Sequence, residues 1–227
     1  TVAIFEGSTQ LAAVTASASG SWSYVTTGSV TNSSIRTFTA SASDAAGNTS
    51  AFLRAWIEGT AGNDTFAFAS RANLVAPGEV DGNGGTDTIS MTAPVTLGSG
   101  DFANVTSVET LQLTGASTVT LGADAATAGI VNIVTGAGTT GITDTNGVAL
   151  SVDATALADD FTLTLAGSAA QTVTGLRGDL AASGVSGALN VTTVAVASGL
   201  SIATGSGSNT ITATALTVGQ TLTLTGS

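Results

Sequence analysis

The sequence predicts an all-β chain. A sandwich-like antiparallel first part is followed by an irregular parallel β-helix or β-solenoid, with a second β-sandwich as the alternative for the later part. Three observations carry this. Apolar residues alternate with Thr and Ser in runs of three to five residues, giving strands with one dry and one wet face. Gly, Asn or Asp closes nearly every run. Helical periodicity is almost absent, the best helix candidates being Ala123–Ala128 and then Leu176–Ala182.

Residues 1–57 form the first zone. Period-two segments cover Val2 to Phe5, Leu11 to Thr15, Trp22 to Val25, Ile35 to Ala42 and Phe52 to Ile57. Turn residues separate them at the short intervals of a sandwich. Residues 58–110 hold two Gly/Asp turns, Gly59-Thr-Ala-Gly62-Asn63-Asp64-Thr65-Phe66 and Gly82-Asn-Gly84-Gly85-Thr86-Asp87-Thr88-Ile89. The aspartates are 23 residues apart, and residues 67–81 read as an inserted strand or loop. Residues 108–227 carry the short strands Thr110–Thr114, Thr118–Leu121, Ile130–Ile133, Leu150–Val152, Phe161–Leu165, Leu189–Val191, Thr210–Thr212 and Thr221–Thr225. Such strands bury a core only when stacked. The steps of 22 residues from Leu111 to Ile133 and 19 from Ile133 to Val152 suit a solenoid rung.

Composition narrows the function. Only 8% of the 227 residues are charged, against roughly 25% in an ordinary domain. The 15 acidic residues face four arginines (Arg36, Arg54, Arg71, Arg177), with no lysine and no histidine, for a net charge of −11. That balance argues against nucleic acid, whose phosphates require clustered Lys and Arg, and against anionic membrane surfaces. It suits divalent cations, calcium above all, which take oxygen ligands. Mean hydropathy is positive, yet Thr or Ser breaks every apolar run well short of a membrane span, so no membrane insertion is expected. There is no cysteine. With no initiating Met and an end inside a repeat-like pattern, the chain is expected to be an internal piece of a longer exported protein.

Two resemblances sharpen this. Gly20-Ser-Trp-Ser-Tyr24 and Phe38-Thr-Ala-Ser-Ala-Ser-Asp-Ala-Ala-Gly-Asn-Thr-Ser50 resemble a bacterial immunoglobulin-like repeat lacking its opening strands, which makes Trp22 a core residue. The two Gly/Asp turns match part of the calcium-binding nonapeptide G-G-x-G-x-D-x-U-x. There, glycines allow positive φ and inward carbonyls, the Asp supplies a carboxylate, and the apolar residue (Phe66 or Ile89) enters the core. Thr60 and Asn83 stand where the second glycine belongs. The candidate metal residues are Asp64, Asp87, Gly62, Gly85 and Asp81, with Glu79 beside them and Ca²⁺ as the cofactor. Ordinary Asx turns are the alternative. These turns, with Phe102-Ala-Asn-Val-Thr-Ser-Val-Glu-Thr-Leu111 and Ala170-Gln-Thr-Val-Thr-Gly-Leu-Arg-Gly-Asp-Leu180, resemble the calcium-dependent repeat regions of bacterial S-layer and type I-secreted surface proteins. The resemblance implies an extracellular, cell-surface location and partners that are neighbouring copies or other surface components, surface polysaccharide among them.

Catalytic candidates are few, and no enzyme activity is expected. Without His and Cys, the common bases and thiol nucleophiles are missing. The Asp159-Asp160 pair reads as a solvated turn and Arg177 with Asp179 as a surface pair. Stacked Thr-x-Thr segments such as Thr118/Thr120, Thr162/Thr164 and Thr172/Thr174 could form a flat hydroxyl face able to meet ice, although Thr also suits any exposed strand. The expected function is a structural module of a surface lattice or matrix. The alternatives are an adhesin stalk or glycan-binding module, and lastly a polysaccharide-acting β-helix.

Overall fold

The computed structural model describes residues 1–24, 36–51, 55–196, 199–213, 216–217 and 219–226. Strands β1 (Val2–Glu6), β2 (Thr9–Val14), β3 (Arg36–Ala42) and β4 (Trp56–Glu58) form an antiparallel sheet in the order β2-β1-β3-β4. Across β1 and β3 the Arg36 guanidinium donates to both oxygens of Glu6 at 2.6 Å and lies 4.7 Å over the Phe38 ring. Trp22, half-buried and outside any strand, packs edge-on against Trp56 with centroids 6.3 Å apart. Among the described residues this part is one sheet rather than two facing sheets, so the immunoglobulin-like sandwich is not confirmed. Parts of the expected strands Trp22–Val25, Ile35–Ala42 and Phe52–Ile57 fall at 25–35 and 52–54, outside the described residues.

The chain then winds into a parallel β-solenoid. The first coils contain β5 (Thr65–Phe68), α1 (Arg71–Val75), β6 (Glu79–Asp81), β7 (Thr88–Met91), β8 (Thr96–Leu97), a 3-10 turn (Ser99–Phe102) and β9 (Val105–Thr106). Next come β10 (Thr110–Gln112), β11 (Ser117–Leu121), α2 (Ala123–Ala128), β12 (Asn132–Val134), β13 (Thr140–Asp144) and β14 (Leu150–Asp153). The remaining strands are β15 (Thr162–Gly167), β16 (Gln171–Leu176), β17 (Asp179–Val185), β18 (Leu189–Thr193), β19 (Leu200–Ala203), β20 (Asn209–Thr212) and β21 (Leu222–Thr225). One wall is the eight-stranded sheet β5-β7-β10-β12-β14-β16-β18-β20, and a second is the seven-stranded sheet β8-β11-β13-β15-β17-β19-β21. A third, short wall is β4-β6-β9, whose first strand also belongs to the antiparallel sheet. The solenoid therefore begins near residue 56, not 108, and residues 67–81 complete an ordinary coil instead of an insertion.

The register explains why these residues stack. In the eight-stranded wall one inward column runs Phe66, Ile89, Leu111, Ile133, Val152, Val173, Val191 and Ile211. All are buried except Ile211 in the last strand, which is half-buried. Burying each such side chain contributes about 1.5–3 kcal/mol before chain entropy is counted. The neighbouring outward column is Thr65, Thr88, Thr110, Asn132, Ser151, Thr172, Asn190 and Thr210. In the seven-stranded wall Leu97, Val119, Ile142 and Leu165 fill the facing inward column. Strand spacing of about 4.8 Å puts like residues in van der Waals contact along each column.

Both helices sit at corners. Ser70 caps α1 by accepting the Asn73 N–H at 3.2 Å, and Leu74 is buried beneath it. The Ala-rich α2 ends at Gly129, whose φ of 99° closes it. It coincides with the expected Ala123–Ala128 helix. The second expected helix, Leu176–Ala182, is instead the end of β16 and the start of β17. Its Ala residues face the core and a neighbouring strand, and pairing with β15 and β19 overrides their helix propensity.

Candidate functional site: a stacked acidic corner

Because Thr65, Thr88 and Thr110 are in register, the residues just before them also stack. These are Asp64, Asp87 and Glu109. The Asp64 N–H donates to Asp87 Oδ1 at 2.7 Å, and the Asp87 N–H donates to Glu109 Oε2 at 2.8 Å. Each carboxylate thus receives the amide of the preceding coil's acidic residue. In the next coil the position is Val131, whose N–H goes to the Glu109 carbonyl at 3.1 Å, and the ladder stops.

The turns beneath these residues follow from their sequence. Asp64 Oδ2 accepts from the Thr60 amide and, at 2.8 Å, from the Thr60 hydroxyl. Asn83, with φ of 65°, donates its side-chain amide to the Gly59 carbonyl at 2.9 Å. Thr60 and Asn83, the two departures from the nonapeptide, therefore supply hydrogen bonds that hold the turns. Asp81 Oδ1 accepts the Asn83 N–H at 2.9 Å in an Asx turn, while its carbonyl accepts the Gly59 N–H at 2.7 Å. Asn63 Oδ1 accepts the Thr86 N–H at 2.8 Å. Gly62 donates to the Thr60 hydroxyl at 3.1 Å, and Gly85 stacks on Gly62 with φ of 115°, where a Cβ would come 2.6 Å from the Gly62 carbonyl carbon. At Gly82 a Cβ would lie 1.9 Å from the Ser107 carbonyl oxygen and 2.5 Å from Asp87 Oδ2, so a side chain there is excluded.

All five expected metal residues gather at this corner. Asp87 is 1% exposed. Burial pushes its carboxyl above the ordinary value; the Asp64 N–H opposes this, and the charges of Glu109, Asp64 and Asp81 add to it. Calcium takes six to eight oxygen ligands. Here the carboxylates are turned toward backbone amides and a hydroxyl, and no group of three or more His, Cys, Asp or Glu able to hold a metal is present among the described residues. Asp81 forms an Asx turn with Asn83, and Asp87 and Glu109 each accept an amide from the preceding coil.

Sequence reasoning missed Glu109 as the third rung. Its signal is the repeated tripeptide acid-Thr-apolar in Asp64-Thr65-Phe66, Asp87-Thr88-Ile89 and Glu109-Thr110-Leu111. The lengthening from Asp to Glu conceals it.

The remaining polar candidates are separate. Arg177 faces Asp159 at 3.7 Å, whereas Asp179 Oδ1 accepts the Ser201 N–H at 2.8 Å, so the expected Arg177–Asp179 pair is replaced by Arg177–Asp159. Asp160 is exposed in the adjoining turn. Arg71 clamps the buried Asp101, Nε to Oδ2 at 2.7 Å, joining α1 to the 3-10 turn, and Asp101 Oδ2 also accepts the Gly98 N–H at 2.8 Å. Burial alone would raise the Asp101 carboxyl, but Arg71 and the Gly98 amide hold it below its usual value. One cleft is lined by Thr1, Val2, Ala42, Asp44 and Asn48 at the end of β1 and β3, and a smaller one by Pro94, Thr96, Ala116 and Thr118 beside β8 and β11. Neither includes a residue of the acidic corner. No family model, no curated protein and no solved structure matches this chain.

Proposed function

We propose that this chain is a structural module of a large exported surface protein, serving as a rigid spacer or lattice element rather than as an enzyme. The observation that carries the proposal is the unbroken stack of parallel strands around a single apolar interior. Each coil rests on the next, so stiffness is distributed along the axis. The outer columns of Thr, Ser and Asn hydrate the walls without the mixed charges of an ordinary soluble domain.

The experiment is electron microscopy of the purified full-length protein together with labelling of intact cells. Surface label and ordered sheets or straight rods support the proposal. Confinement to the cytoplasm, or compact particles that turn over a polysaccharide, refutes it. A second reading, a glycan-binding adhesin module, is favoured by the long Thr/Ser/Asn column, since flat hydroxyl and amide arrays offer hydrogen bonds to sugars. Specific retention on a surface-polysaccharide matrix would favour it over the lattice element.

A further inference from the structure

The dipeptide Asn-Gly occurs twice in this chain, as Asn83-Gly84 and Asn146-Gly147. Its chemistry is intrinsic. A glycine amide nitrogen that loses its proton can attack Cγ of the preceding asparagine, because glycine has no side chain to hinder the approach. In a folded protein two conditions decide the rate. The attacking N–H must be free of a strong acceptor, and the carboxamide must be able to turn toward it. The fold treats the two dipeptides in opposite ways.

Asn83-Gly84 is tied into the acidic corner. The Gly84 N–H donates to the Thr60 carbonyl at 3.3 Å, and the Asn83 carboxamide donates to the Gly59 carbonyl at 2.9 Å. Both acceptors lie in the preceding coil, so ring closure at Asn83 requires two stacked turns to part. Asn146-Gly147 lies in the turn between β13 and β14. Gly147 is exposed with φ of 76°, and nothing lies within 4 Å of the place where a Cβ would stand. Among the described residues no atom accepts the Gly147 N–H or the Asn146 Nδ2. The Asn146 side chain is turned forward along the chain, Oδ1 accepting the Val148 N–H at 2.7 Å. The ring closed by that bond contains both Asn146 Cγ and Gly147 N, and the bond draws electron density away from Cγ. Asp144 Oδ1 holds the start of the turn by accepting the Asn146 N–H at 3.0 Å.

We propose that Asn146 is a site of spontaneous covalent modification, converting through a succinimide to aspartate and isoaspartate, and that coil stacking protects Asn83 from the same reaction. Gly147 N gives its proton to a solvent base and bonds to Asn146 Cγ. The Cγ–Nδ2 bond breaks, and the nitrogen takes up a proton and leaves as ammonia. Water then adds to either ring carbonyl, that carbonyl's bond to Gly147 N breaks, and the nitrogen regains a proton. Opening at the Cγ carbonyl gives aspartate, and opening at the main-chain carbonyl gives isoaspartate, with the chain routed through Cβ and Cγ. The net change consumes one water, releases one ammonia and adds a negative charge to an exposed turn at neutral pH. It needs only this chain and water, so it is independent of the structural role proposed above.

The test incubates the native protein in mildly alkaline buffer made with heavy-oxygen water, then locates the label in protease fragments by tandem mass spectrometry. Asn146 takes up label at least about tenfold faster than Asn83, because the bonds at Asn83 must open first. In urea concentrations that unfold the chain the two sites convert at similar rates, since the dipeptide is the same. Asn146→Gln, which would have to close a larger ring, shows no conversion at 146 and leaves Asn83 slow. An unmodified Asn146 in the native protein, equal native rates at the two sites, or a difference that persists unchanged in urea overturns the proposal.

Discussion

Replacing Asp87 by alanine and by asparagine separates a structural carboxylate from a metal ligand. Asp87 Oδ1 receives the Asp64 amide at 2.7 Å in a corner where Asp87 itself is 1% exposed. Alanine leaves that amide without its acceptor, and an unmade buried hydrogen bond costs about 1–3 kcal/mol. For a chain of this length each kcal/mol moves the melting temperature by about 2–4 °C, so Asp87→Ala should lower it by about 2–12 °C. Asparagine keeps an acceptor oxygen in the same place and removes the charge that burial, Glu109, Asp64 and Asp81 all disfavour. Asp87→Asn should therefore stay within about 1 kcal/mol of wild type. The assay is urea and thermal unfolding followed by circular dichroism, in the presence of a strong chelator. If asparagine proves as damaging as alanine, or if the chelator itself lowers wild-type stability and the loss disappears in Asp87→Asn, the interlocked-turn account is wrong and the carboxylate holds a cation.

Other outcomes follow from the same geometry. Because the folded-state Asp87 carboxyl is raised, its contribution to stability is present below its unfolded value and is lost as pH rises through the folded one; the pH slope of the urea midpoint should lose this component in Asp87→Asn. Asp101 works in the opposite direction: its lowered carboxyl contributes above the unfolded value and fades as pH falls, so Asp101→Asn should flatten the acid limb of the same plot. Leu111→Ala, at a fully buried position in the middle of the inward column, should cost about 2–5 kcal/mol in denaturant unfolding. Thr172→Ala, at an exposed position in the outward column, should change stability by no more than about 0.5 kcal/mol, and a larger loss would mean that the column contacts something in the native protein.

Much of the solenoid was legible in the residues. The 22-residue step from Leu111 to Ile133 and the 19-residue step from Ile133 to Val152 are the register pairs of the wall, because alternation assigns each strand a core face and leaves little freedom in stacking. The acidic corner was legible in its members but not in its bonding. A Gly/Asp turn that surrounds an ion and one that locks onto the coil below have almost the same composition, and only the positions of backbone amides distinguish them. Strand β13 was not recognised because Gly141 interrupts the alternation, while β17 was mistaken for helix because its Ala run carries no strand propensity.

By itself, the sequence determined the all-β class, the coil length and which face of each strand is dry, since these depend on local alternation and turn residues. The tertiary structure alone decided where the solenoid begins and which backbone amides the acidic residues accept. β4 is one of three residues' length, yet it pairs antiparallel with β3 and parallel with β6, making the first sheet continuous with the solenoid wall. That continuity depends on backbone pairing between segments far apart in the chain, which no local pattern encodes. The same holds for Asp64, Asp87 and Glu109: 23 and 22 residues apart, they become neighbours only when the coils stack, and their hydrogen bonds exist only then.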